Sequence, residues 1–417
     1  MKIPEIKNLK NRKIIQQIKK FLPDKEIIVL HGARQVGKTS ILSLLANQFL
    51  KSKAEENNLV YFDLEDFTLA ELCNKGVEEV VRYLKNQNCN FKKKIYLFID
   101  EIQYLDNPSS FLKLFHDRYQ NKIKLIITGS SSFAIKSKFK DSLVGRIINF
   151  EIFPLDFEEF LWFKQEKINL STDLAEITQN QLKILYQEYI LNGGYPAIVL
   201  EPAKDKKEMR LKQIINTYLK KDIKDLAEIR NIRKFNDLLR ILAVQSGNLV
   251  NLLELSSSLG IAVQTIEDYL FMLENTYIIK RIYPWHKNVR SELTKMPKVY
   301  FEDSGLANLL ANQGFSKVIA GNLLENAVYS DLRKNFEAEN IHFWRTNQGQ
   351  EIDFILQKKN KLFAYEIKIK ARDKDRLVLN KFKKYYPGAS IYLVGLDFDD
   401  KEKSRGLNFL YPWEIKI

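Results

Sequence analysis

From Gly32 to Thr39 the chain reads G-A-R-Q-V-G-K-T, the pattern G-x-x-x-x-G-K-[ST]. An apolar run, Ile27-Ile28-Val29-Leu30, leads into it, and a helical pattern, Ser40 to Ala46, leads out. A strand that passes through a Gly-rich turn straight into a helix restricts this part of the chain to an α/β fold with a parallel sheet. The glycines let the loop curl so that backbone N–H groups point inward, next to the positive end of the helix. The expected phosphate cradle is therefore Gly32, Ala33, Arg34, Gln35, Val36, Gly37, Lys38, Thr39 and Ser40. Lys38 is expected to reach the β- and γ-phosphates of a nucleoside triphosphate, and Thr39 to offer its hydroxyl to Mg²⁺.

Such a site needs acids at the end of a neighbouring buried strand. Ile95 to Ile99 is almost continuously apolar, as a strand covered on both faces should be, and it ends in Asp100-Glu101. Asp100 is expected to hold Mg²⁺ through its water shell, and Glu101 to polarise the attacking water as general base. The alternative is a strand that merely ends in solvated acids. A further apolar strand, Lys124 to Thr128, delivers Gly129-Ser130-Ser131-Ser132. Ser130 is the candidate γ-phosphate contact there, against an ordinary turn of small residues. Gly145-Arg146 precedes another apolar strand, Ile147 to Phe153. Arg146 is read either as a group reaching the γ-phosphate of an adjacent subunit or as a surface ion pair.

This order of motifs resembles the AAA+-type P-loop ATPases. More narrowly, G-A-R-Q-V-G-K-T, Phe153-Pro154-Leu155 with Phe157-Glu158-Glu159-Phe160, and Gly193-Gly194-Tyr195-Pro196 resemble one group of them. That group comprises bacterial and archaeal ATPases with a nuclease-like C-terminal domain, and the likeness runs over nearly the whole chain. It implies ATP as the nucleotide, but the group has no single agreed function to hand on.

A chain of 417 residues is too long for one ordinary core. No apolar run approaches the ~18 residues needed to span a bilayer, and the lysine-rich start lacks the apolar core of a signal peptide. Two cysteines, Cys73 and Cys89, form neither a metal-ligand cluster nor a disulfide framework. A cytoplasmic protein with no membrane partner is expected. The net charge of +14 supports a nucleic-acid partner without establishing one, because the lysines are spread along the chain.

Four regions are expected: an ATPase core over 1–155, a helical lid over 156–203, a helical linker with a winged helix-turn-helix over 204–295, and a nuclease-like domain over 296–417. In the core, strands and helices alternate as in a three-layer α/β/α parallel sheet. The lid aromatics Phe157, Phe160, Leu161, Trp162 and Phe163 read as core rather than binding surface. Helices over 235–243, 250–255 and 265–273, a turn at Gly260 and the run Ile278 to Ile282 suggest the winged helix. Its third helix carries Glu267, Asp268 and Glu274 and no basic residue, so it would repel phosphates. DNA contact is assigned instead to the wing, through Lys280, Arg281, His286, Lys287 and Arg290.

From Gly321 the elements read helix, three strands, helix, strand, an order that resembles the PD-(D/E)xK nucleases, the restriction-endonuclease-like α/β fold. With a turn over Lys358 to Lys361, Asp353 falls opposite Glu366 and Glu351 opposite Lys368. Strand alternation then puts Asp353, Glu366 and Lys368 on one face, with Ile352, Phe354, Leu356, Tyr365, Ile367 and Ile369 on the other. Two carboxylates beside a lysine suit Mg²⁺ and phosphodiester attack, and Glu325 on the preceding helix matches the acid that completes such a metal site. The simpler reading is a half-buried hairpin with a solvated charged face. Two functional readings follow: a homo-oligomeric ATPase coupled to DNA binding or cleavage, or an ATPase switch or scaffold with a non-cutting docking domain.

Overall fold

A computed structural model describes residues 3–4, 6, 9–51, 54–129, 143–170, 174–218, 231–285, 295–398 and 408–415. The chain divides into two compact units, one built on the residues up to Phe153, the other on Pro154–Thr217 and the described residues from Asn231 onward.

The first unit runs α1 (Ile14–Lys20), β1 (Ile27–Gly32), α2 (Lys38–Leu44), β2 (Leu59–Asp63), α3 (Phe67–Asn74), α4 (Val77–Asn86), β3 (Ile95–Asp100), α5 (Pro108–Tyr119), β4 (Ile123–Gly129) and β5 (Ile147–Ile152). Its sheet has five strands in the order β2-β3-β4-β1-β5, every neighbouring pair parallel. Every residue of β1 and of β4 is buried, which is why Ile27 to Leu30 and Leu125 to Ile127 read as apolar runs. Helix starts carry the expected caps. Asp66 accepts the Thr68 N–H ahead of α3, and Asn107 accepts from Ser110 ahead of α5, with Pro108 in the first turn. One core joins these strands to α3, α4 and α5 through Val60, Leu69, Val80, Leu97, Leu112 and Ile127.

The second unit opens with α6 (Phe157–Phe163), α7 (Glu176–Asn192), α8 (Pro196–Val199) and α9 (Lys204–Thr217). Next come α10 (Ile232–Val244), α11 (Leu252–Leu259) and α12 (Val263–Asn275), then an antiparallel pair, β6 (Ile279–Ile282) and β7 (Lys298–Phe301). After α13 (Ser304–Asn312) and α14 (Gly321–Asn335), β8 (Ile341–Arg345), β9 (Glu351–Lys358) and β10 (Lys361–Ala371) form a meander. Helix α15 (Leu377–Tyr385) then returns the chain to β11 (Ser390–Phe398), parallel to β10, and β12 (Phe409–Leu410) completes the order β12-β11-β10-β9-β8. The helix, three strands, helix and strand read from the sequence are all present.

The aromatics of α6 are core, as their spacing indicated. Phe157 packs against Phe160, Tyr186, Tyr189 and Trp413, while Trp162 alone of the set is exposed. Asp331 on α14 ties this cluster together, accepting from the Phe157 N–H at 3.0 Å and from the Tyr189 hydroxyl at 2.9 Å. The Gly-Gly turn is structural as well. Gly194 donates to the buried Asp303 carboxylate at 2.7 Å and accepts from the Leu155 N–H at 2.7 Å. A Cβ on Gly194 would lie 2.2 Å from the Leu155 carbonyl oxygen.

Among the described residues, no helix is long and apolar enough to cross a membrane.

Candidate functional sites

In the first unit the phosphate-loop residues leave the carboxyl end of β1, the end at which parallel α/β sheets hold ligands. Gly32 has φ +153° and runs so close to β5 that a Cβ would meet the Ile152 carbonyl oxygen at 2.1 Å. Only glycine fits that turn. Gln35 adopts φ 60° within the loop. The Lys38 ammonium is buried beneath the loop, donating to the Gly32 and Ala33 carbonyls at 2.9 and 2.8 Å.

Two strands across, β3 delivers Asp100. Its Oδ2 accepts from the Thr39 hydroxyl at 2.6 Å and the Tyr61 hydroxyl at 2.8 Å, and its Oδ1 accepts from the Thr128 hydroxyl. A threonine hydroxyl and a carboxylate in contact form a hard, all-oxygen donor set of the kind Mg²⁺ takes. Burial, then the Asp100 charge, pushes the Tyr61 phenol far above its ordinary range, so it stays a donor. Glu101 follows with φ 57°, a left-handed conformation uncommon for a non-glycine residue. Its N–H donates to Thr128 Oγ1 at 3.1 Å, and its carboxylate accepts from the Gln103 side chain. Thr128 therefore fixes both acids at once.

Sequence reasoning missed Thr128, which stands two residues before the Ser130 it favoured. Ser130 lies outside the described residues. Tyr61 carried no signal beyond its place in a strand. Arg12 carried none, yet its buried guanidinium donates to the Val36 carbonyl in the loop and to the Phe153 carbonyl, both at 2.9 Å.

Arg146 precedes β5 at the opposite end of the sheet. Its register partner region begins at Ile27↔Ile147, whereas the loop begins at Gly32↔Ile152. Five strand residues separate the two ends, roughly 17 Å, so this arginine cannot serve the loop of its own chain. It pairs with Asp117 at 2.7 Å.

In the second unit, Asp353, Glu366, Lys368 and Glu325 come together. Lys368 Nζ lies 2.5 Å from Glu366 Oε1 and 3.9 Å from Asp353 Oδ2. The β9–β10 pairing keeps the expected register as far as Phe354↔Tyr365. One step on, Asp353 Oδ2 takes the Ile367 N–H at 2.8 Å. The charged face is not solvated: Asp353 is 8% exposed and Glu366 6%. Ile369, expected in the core, is 38% exposed near the far end of β10. Glu351 does not face Lys368 but pairs with Arg345 at 2.6 Å.

Lys298, at the start of β7, joins this cluster without any motif or periodicity that marks it. It is 2% exposed, and its ammonium lies 2.5 Å from Glu351, 3.1 Å from Glu325 and 4.0 Å from Asp353. Tyr300, two residues on, donates to Glu325. Burial raises the pKa of Glu325, with the Asp353 charge adding to it and Lys298 opposing it. Burial and the Asp353 charge likewise raise Glu366, against Lys368. For Lys298, burial acts downward, but Glu325, Asp353 and Glu351 outweigh it and the ammonium is stabilised. The expected metal site of Glu325, Asp353 and Glu366 is therefore corrected. An ammonium stands among the acids, and among the described residues no group of three or more His, Cys, Asp or Glu side chains is set to hold a metal ion.

The wing assignment changes too. Arg281 is turned inward onto Glu274 at 2.9 Å and Glu267 at 2.6 Å, two of the three acids that set the third helix against phosphates. His286, Lys287 and Arg290 lie outside the described residues.

Comparison with known proteins bears on the fold of the first unit. A family model for an AAA domain matches residues 24–161. Two domains of unknown function match the rest, DUF8612 over residues 183–317 and DUF4143 over residues 320–414. An uncharacterized protein of Methanocaldococcus jannaschii is 30% identical over 348 residues, 82% of this chain and 74% of that protein. The chain belongs to the same family as that archaeal protein. An uncharacterized protein of Haemophilus influenzae is 25% identical, over 87% of this chain and 88% of its own length. Among solved structures, the Walker-type ATPase PABY2304 of Pyrococcus abyssi shares 16% identity at a TM-score of 0.48, covering 74% of this chain and 97% of its own. The AMPPCP-bound DnaA of Aquifex aeolicus shares 21% at 0.30, covering 65% and 89%. The first unit is thus an AAA-type domain on a parallel five-stranded sheet.

Proposed function

We propose that this family member is a Mg²⁺-dependent ATPase that couples ATP turnover to DNA binding or processing through its C-terminal domain. The observation that carries the ATPase reading is the meeting of Thr39, Asp100 and Glu101 beside the phosphate loop, with Thr128 holding both acids. Lys38 and the loop N–H groups bind the phosphates, and Asp100 with Thr39 holds the Mg²⁺, whose charge offsets that of the phosphate oxygens. Glu101 orients and deprotonates the attacking water. Arg146 faces away from its own loop, and its proposed role is toward an adjacent subunit of a homo-oligomer. An Arg146→Ala chain that binds ATP and is inactive alone, but is restored by mixing with Lys38→Ala chains, supports that role. Failure of every mixture refutes it.

The DNA half of the reading draws on the net charge of +14 and on the convergence of Asp353, Glu366 and Lys368. A second reading, an ATPase switch whose C-terminal domain docks without cutting, is favoured by the Lys298 ammonium beside Glu325, Glu351 and Asp353. The experiment is Mg²⁺- and Mn²⁺-dependent degradation of single-stranded, duplex and branched DNA, with and without ATP. Cleavage lost in Asp353→Ala and dependent on ATP supports coupling. Absence of cleavage on every substrate, with ATP turnover intact, supports the switch.

A further inference from the structure

We infer that Arg12, which stands before α1 and outside the phosphate-loop motif, is a positioning residue of the nucleotide site: it holds the Val36 carbonyl so that the Gly37 N–H is aimed at bound phosphate. The inference rests on reading Gly32 to Ser40 as an ATP site and concerns what shapes that loop.

Arg12 is 7% exposed and gives one guanidinium N–H to each of two backbone carbonyls. Nη1 donates to the Val36 oxygen and Nη2 to the Phe153 oxygen, both at 2.9 Å. One acceptor lies inside the loop and the other directly after β5. A planar fork of fixed geometry suits such a pair, and a charged donor makes each bond stronger than a neutral one.

The consequence for the loop follows from the peptide unit itself. The Val36 C=O and the Gly37 N–H belong to one planar trans peptide, so they point in opposite directions. Fixing the carbonyl on one side fixes the N–H on the other. A cationic donor on the carbonyl also polarises the peptide and makes its N–H a better donor to an anion. Gly37 immediately precedes α2, so this N–H is delivered where the helix N-terminus already favours negative charge.

The loop's first turn is anchored at the same place. Gly32 runs against the Ile152 carbonyl, and Arg12 ties Val36 to Phe153, the next residue. Both ends of the loop are therefore referred to the end of β5. Lys38 bridges the Gly32 and Ala33 carbonyls but must give them up to reach the β- and γ-phosphates. Arg12 faces no such demand and can hold the loop's shape with nucleotide bound. Its own footing is firm: the Arg12 carbonyl accepts the Ile15 N–H at 3.2 Å, and Ile15 and Ile18 of α1 are buried.

The test uses the full chain, with ATP and ADP as probes. Arg12→Met keeps an apolar stem and removes both donors. Its KM for ATP and its dissociation constant for ADP are expected to rise ~10-fold or more. Its kcat should fall much less, because the loop N–H groups contact the phosphates in the ground state and the transition state alike. A residue that merely held the fold together would lower the folded fraction, and so kcat, at unchanged KM. A folded Arg12→Met chain whose ADP affinity lies within about twofold of wild type overturns the inference, as does a loss of kcat at constant KM. Should Arg12→Met fail to fold, Arg12→Lys decides. It keeps the charge but not the fork that reaches both carbonyls at once, so its ADP affinity should fall at least ~3-fold, and wild-type affinity would overturn the proposal. Weaker ADP binding by Arg12→Met in a chain that never hydrolyses ATP upholds the inference and counts against ATP turnover alone. A wild-type chain that binds neither nucleotide overturns both.

Discussion

Thr128→Val isolates the feature on which the ATPase geometry depends. The substitution keeps shape and volume and removes one hydroxyl. That hydroxyl donates to Asp100 Oδ1 and accepts the Glu101 N–H at 3.1 Å, and Thr128 is fully buried. Losing it deprives two polar groups of a partner, each loss being worth about 1–3 kcal/mol where water cannot substitute. It also releases Glu101 from the φ 57° conformation that the contact helps to hold, a conformation costing about 1 kcal/mol for a residue with a Cβ. Thr39 and Tyr61 still engage Asp100 Oδ2, so nucleotide binding should change little. If about 1.4–2.8 kcal/mol of this falls on the transition state alone, kcat drops roughly 10- to 100-fold. Steady-state phosphate release gives kcat, a fluorescent ATP analogue gives affinity, and thermal melting checks the fold. A folded Thr128→Val protein with kcat within about twofold of wild type would refute the claim that this hydroxyl positions the acids.

Three further outcomes follow from contacts elsewhere. Gly194→Ala should lower stability by about 1–3 kcal/mol or more, because its Cβ would sit 2.2 Å from the Leu155 carbonyl oxygen; an unchanged melting temperature would contradict that packing. Burial, opposed by Lys334, raises the Asp331 carboxyl from 3.8 to about 6, so its contribution to stability is full below the unfolded value and is lost as pH rises toward 6, on the order of 3 kcal/mol at most. Asp331→Asn should therefore gain on wild type between about pH 4 and pH 6 in chemical denaturation, and parallel curves would refute this. Tyr61→Phe removes one of two donors on Asp100 Oδ2 and should lower kcat less than Thr128→Val does, as measured in the same phosphate-release assay.

Much of the first site could be read in the sequence because its parts are local. The apolar runs of β1, β3 and β4 are buried on both faces, so they stand out, and the acids and the loop lie at their ends. The β9–β10 register was likewise legible, since a short turn fixes it. The remainder depends on contacts between distant segments, which leave no periodic trace. Asp331 meets Phe157 across 174 residues, and Arg12 meets Phe153 across 141. Lys298 is the sharpest case. In the sequence it is an ordinary lysine before Val299-Tyr300-Phe301, and only the fold places it among Glu325, Glu351 and Asp353. Arg281 shows the converse: a basic residue suited to DNA by composition is consumed by Glu267 and Glu274.

Lys38, Thr39, Asp100 and Glu101 together are proposed to carry out Mg²⁺-dependent ATP hydrolysis. Its most direct test is ATP binding and phosphate release, with and without Mg²⁺, for wild type, Lys38→Ala and Glu101→Gln. Wild type should show Mg²⁺-dependent turnover, Lys38→Ala should lose nucleotide binding, and Glu101→Gln should bind ATP without turning it over. Tight ATP binding by Lys38→Ala, or undiminished hydrolysis by Glu101→Gln, would contradict it.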